Sequence, residues 1–138
     1  MTNSNQALEK ELQQIYARTE HWISDFIFFE DEIRFLVDLL DRFFIGAIIA
    51  DSDKMSMLQA KAIKLSELDA ERRSIAEDNK KLLQRVGRLL KNEQPFDPSE
   101  FMEEYADMER AQAGFLKRYR ETKKDLFHLA TTLQSTNK

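Results

Sequence analysis

His21 and His128 are the two histidines of a chain without cysteine, so they are its only candidates for proton shuttling near neutral pH or for nitrogen ligation of a metal. Asp125 stands three residues before His128, a spacing that resembles one carboxylate and histidine pair of a di-iron bundle. Such a centre needs several inward-pointing pairs on different helices. The chain holds no second pair, and the helical registers derived below turn both histidines outward. A phosphotransfer histidine would also sit exposed on a bundle helix, but the stretch from Glu20 to Asp25 lacks the lysine and glycine that follow one.

The other chemistry-bearing residues read as structure. Asp31 with Glu32 and Glu103 with Glu104 are neighbours in sequence, and neighbours on a helix point in different directions. No glycine-rich phosphate loop, nucleophile elbow or zinc-protease pattern occurs. Lys80, Lys81, Arg85, Arg88 and Lys91 crowd one stretch; they lack aromatic interleaving and suit the C-terminal turns of a helix, where its dipole favours cations. The reading is therefore no enzyme, no cofactor and no metal.

What must position these residues is a set of long helices. Three glycines and two prolines in 138 residues leave too few turn formers for a sheet protein. The first helix, about residues 4–45, carries a seam spaced alternately by four and three: Leu8, Leu12, Ile15, Thr19, Trp22, Phe26, Phe29, Ile33, Leu36, Leu40 and Phe43. Tyr16, Ile23, Val37 and Phe44 widen it, so this helix should touch two neighbours. Gly46 is its expected stop, with residues 47–50 covering the bundle end.

Asp51, Ser52 or Asp53 can cap a second helix, about 53–91, whose seam runs from Leu58 to Leu89 and is interrupted by Lys61, Arg72 and Asn79. Asp97 as N-cap, Pro98 at the first helical position and Glu100 as box partner open a third, about 98–134. Its seam runs from Phe101 to Leu133 with Gln112 as the polar member. Short connections make sequential helices antiparallel. The expectation is a single all-α domain over 1–138, an antiparallel bundle of three long helices with coiled-coil-like packing. At 1.5 Å per residue a seam of ~40 residues makes an elongated body roughly 60 Å long.

The formal charge is −4, from 21 basic and 25 acidic side chains, which argues against general affinity for nucleic acid. Residues 1–45 hold 4 basic and 9 acidic groups, 51–92 hold 10 and 7, and 93–138 hold 7 and 9. The middle helix is thus basic between two acidic ones, and each antiparallel contact joins opposite net charges. Charges throughout the first twenty residues leave no signal-peptide core. Phe35 to Ala50, the most apolar window, is broken by Asp38, Asp41 and Arg42 and is too short to span a bilayer. A cytoplasmic protein without membrane contact is expected.

Antiparallel registration sets two further expectations. A buried polar layer should join Glu30 to Arg72, and Asn79 to Trp22 and Gln112, with Glu109 one turn earlier; its role is to fix register. Tyr16 and Tyr105 should lie at one level, packed against Leu82 or Leu83. On the outer side of the first helix, Phe28 and Phe35 are two turns apart with Leu39 following, and Phe127 of the third helix is at the same height. Aligned large apolar groups are more often covered than wet. The cover is residues 47–50, a different helical protein or a second copy. A two-fold homodimer in which the first helices pack together is favoured. The functional expectation is a self-associating interaction or scaffold module; the alternative is a bundle that binds a small molecule or metal.

Overall fold

In a computed structural model, which describes residues 2–47, 52–92 and 97–136, three helices make up an all-α bundle: α1 (Thr2–Ala47), α2 (Ser52–Leu90) and α3 (Pro98–Thr136). No strand occurs among the described residues. Each helix places a large apolar side chain on the inside about every half heptad, which is what the alternating spacing of four and three requires.

The ends follow local chemistry. Asp97 Oδ1 accepts hydrogen bonds from the Ser99 and Glu100 amides at 3.1 and 3.3 Å, satisfying amides that the first turn of α3 leaves without helical partners. Gly46 is not the stop expected of it. α1 continues through Ala47, and no glycine among the described residues has a positive φ. Glycine permits the left-handed conformation without compelling it. That role falls to Asn92 after α2, with φ 58° and its amide bonded to the Leu89 carbonyl at 3.1 Å; asparagine tolerates this region better than most residues. The expected caps and connections at residues 48–51 and 93–96 lie outside the described residues.

The chain divides into two compact units, each built from a part of all three helices. The first comprises residues 1–28 and 73–112. Its core joins Leu12 and Ile15 of α1, Leu82, Val86 and Leu89 of α2, and Phe101 and Tyr105 of α3. Tyr16, Trp22, Leu90, Met102 and Met108 pack partly buried around it. Thr19, fully buried in the seam, turns its hydroxyl back to the Ile15 carbonyl at 2.7 Å and so presents mainly its methyl to the core.

The second unit comprises residues 29–72 and 113–138. Its buried residues include Ile33, Leu36 and Leu40 of α1, Leu58, Leu65 and Leu68 of α2, and Phe115, Tyr119 and Leu126 of α3. Phe29 meets the Phe115 and Tyr119 rings at 5.5 and 4.7 Å between centroids, the tilted geometry that aromatic quadrupoles favour. Within this unit Lys61 pairs with Asp125 and Glu71 with Arg118, so α2 and α3 run antiparallel. Phe29 lies on Phe115 and Glu32 on Lys123, so α1 and α3 run parallel. Val37, expected to widen the α1 seam, is exposed; Ile23 and Phe44 are half-buried.

Candidate functional site

The polar residues within the seams form two separate arrangements, one in each unit. In the first, Gln112 Nε2 donates to Asn79 Oδ1 at 2.6 Å, and both side chains are buried. Asn79 Nδ2 and Gln112 Oε1 have no hydrogen-bond partner among the described residues. The NH2 group of Asn79 and the carbonyl oxygen of Gln112 are thus held unpaired in the core, where each unmade bond costs about 1–3 kcal/mol.

Trp22 stacks on Tyr105, centroids 5.6 Å apart at 21°. Glu109, expected beside this layer, has a side chain 49% exposed and lies 3.8 Å from Arg18. It stands one residue beyond the α3 seam on the flank, where a carboxylate keeps its water. Arg18 also donates to the Tyr105 hydroxyl at 2.8 Å. Burial pushes the Tyr105 phenol above its ordinary value of 10.0, and the Arg18 bond offsets part of that. Tyr16 packs against the same core cluster, which contains Leu82 and Tyr105.

In the second unit, the Arg72 side chain is 8% exposed and donates from Nε to Asp69 Oδ1 at 2.9 Å, with Nη1 3.9 Å from Glu30 Oε2. Glu30 is half-buried and is also held by Arg34 at 3.2 Å. The carboxylate that chiefly satisfies Arg72 is therefore Asp69, one turn earlier on its own helix. The signal for it was the i, i+3 spacing of opposite charges. Tyr119 is buried, and its hydroxyl has no hydrogen-bond partner among the described residues.

The apolar residues singled out on the outer surface divide between the units. Phe28, in the first, is 58% exposed. Phe35, Leu39 and Phe127 belong to the second; Phe35 is 52% exposed, Phe127 44% exposed and Leu39 half-buried. Glu32 and Lys123 pair at 2.9 Å and fix which flanks of α1 and α3 adjoin. Phe35 and Leu39 follow Glu32 by three and seven residues, and Phe127 follows Lys123 by four. All three therefore lie along the adjoining flanks.

His21 and His128 are exposed. Among the described residues, no group of three or more histidine, aspartate or glutamate side chains is placed to hold a metal, and no helix is long and apolar enough to cross a membrane. The second unit has a groove of about 300 Å³ between α2 and α3, bordered by Lys64, Glu67, Glu71, Arg118, Glu121 and Asp125. Its guanidinium is taken: Arg118 holds Glu71 through two bonds, Nε to Oε2 at 3.0 Å and Nη2 to Oε1. That partner raises the Arg118 pKa. Compared with protein-family models, curated proteins and solved structures, the chain matches none.

Proposed function

We propose that this chain is a non-catalytic helical interaction module that self-associates through α1, and that it works in the cytoplasm, where a cysteine-free chain is at home. The observation that carries the reading is the exposure of Phe35 and Phe127 on adjoining flanks of α1 and α3. Large apolar groups aligned in this way favour burial at about 25 cal/mol per Å² removed from water. The polar residue pair Asn79 and Gln112, bonded to each other across α2 and α3, supports a register-setting role, whereas Arg72 is bonded to Asp69 of its own helix. The alternative, a bundle that takes a small molecule or metal, rests on the α2–α3 groove, whose guanidinium is already committed to Glu71.

The test is solution mass. The native chain is expected to be a homodimer, and a Phe28→Asp, Phe35→Asp double variant is expected to be a folded monomer. A variant that retains the native dimer moves the interface away from α1.

A further inference from the structure

The second unit assigns opposite charge to the two helices that border its exposed phenylalanines. Between residues 29 and 47, α1 carries five carboxylates (Glu30, Asp31, Glu32, Asp38, Asp41) against Arg34 and Arg42, a balance of −3. Between 113 and 132, α3 carries five cations (Lys117, Arg118, Arg120, Lys123, Lys124) against Glu121 and Asp125, a balance of +3. Asp31, Asp38, Arg120 and Lys124 are exposed, and none of the four makes an ion pair or side-chain hydrogen bond among the described residues.

Two copies can meet face to face on this surface about a two-fold axis in one of two ways. An axis across the helices sets α1 on the α1 of the other copy and α3 on its α3, so that acid meets acid and base meets base. An axis along the helices sets α1 of each copy on α3 of the other, so that acid meets base twice. The heights agree with the second arrangement. Phe29 lies level with Phe115 and Glu32 with Lys123, offsets of 86 and 91 residues. At those offsets Asp31 stands level with the stretch that holds Lys117 and Arg120, and Asp38 level with Lys124. Phe35 and Phe127 then come to the centre of the contact with charges at its rim.

We infer that the surface formed by α1 and α3 of the second unit docks a second copy of this chain in parallel, each α1 seated on the other copy's α3, with Phe35 and Phe127 at the centre and the Asp31 and Asp38 row facing the Arg120 and Lys124 row. The inference rests on the self-association proposed above and replaces the pairing of first helices expected from the sequence with α1 on α3. Because the rim charges are exposed, the dimer loosens as salt rises.

Charge swapping tests it. One variant carries Arg120→Glu and Lys124→Glu; the other carries Asp31→Lys and Asp38→Lys. Circular dichroism checks that both stay helical. By sedimentation equilibrium at low salt, each alone is expected to dimerise at least about tenfold more weakly than the native chain, because each pairs like charges at both contacts. An equimolar mixture is expected to regain native affinity, because a heterodimer restores opposite charges at both. Should either variant prove unable to fold, the milder pair Arg120→Gln, Lys124→Gln is expected to give an intermediate loss. A native dimer that neither reversal weakens, or two weakened variants that mixing does not rescue, overturns this geometry while leaving self-association standing. A native chain that is monomeric at high concentration overturns both.

Discussion

Arg72 Nε donates to Asp69 Oδ1 at 2.9 Å while its Nη1 remains 3.9 Å from Glu30 Oε2, so the nearly buried guanidinium is held by its own helix more firmly than by α1. A charge-assisted hydrogen bond at that distance is worth about 1.5–3 kcal/mol. The looser contact with a half-exposed Glu30 is worth about 0–1 kcal/mol. Asp69→Ala is accordingly expected to destabilise more than Glu30→Ala in urea titrations, and the reverse order would show that the α1 contact dominates.

For Asn79 and Gln112 the expected result is asymmetric. Asn79→Leu alone leaves the Gln112 amide buried beside an apolar group, so a loss of about 1–3 kcal/mol is expected. The double change Asn79→Leu, Gln112→Leu removes both partners and is expected to restore native stability or exceed it. Urea denaturation decides this; a double variant as unstable as the single one contradicts it.

Tyr105 links the first unit to pH. Its phenol is raised above 10.0 by burial, so the folded state holds its proton longer than the unfolded state does. The resulting stability is present in full below about pH 10 and is lost as pH rises through the folded value. Tyr105→Phe is expected to cost about 0.5–1.5 kcal/mol at neutral pH through loss of the Arg18 bond. It should also flatten the decline of stability above pH 10 relative to the native chain. Parallel curves for the two proteins would refute the assignment.

Gly87 sits inside α2, where an added Cβ would lie 3.8 Å from Tyr16 Cε2, an ordinary contact. Nothing in the core requires glycine there. Gly87→Ala is therefore expected to stabilise by roughly 0.5–1 kcal/mol, the helix propensity difference, read as a higher melting temperature.

The three helices were legible because a seam spaced by four and three fixes both the type of element and its inward face. Arg72, Asn79 and Gln112 stood out for the complementary reason, as polar residues on an apolar stripe. A linear pattern carries less about which flank of a helix meets which neighbour, because that depends on the hand of the bundle. Spacing alone therefore puts Glu109 beside Asn79, although the flank it occupies brings it to Arg18 and to water. The same ambiguity hid the Glu32 to Lys123 pair, whose members are 91 residues apart. Gly46 misled because glycine lowers the cost of ending a helix without requiring an end. Asn92 was missed because it stood in the connection as one polar residue among several.

The most direct test of the account is the mass of the native chain by sedimentation equilibrium across a wide concentration range. A self-associating module predicts a particle of twice 16.3 kDa that dissociates on dilution and tightens as salt is lowered. A constant 16.3 kDa at the highest concentration reached would contradict it.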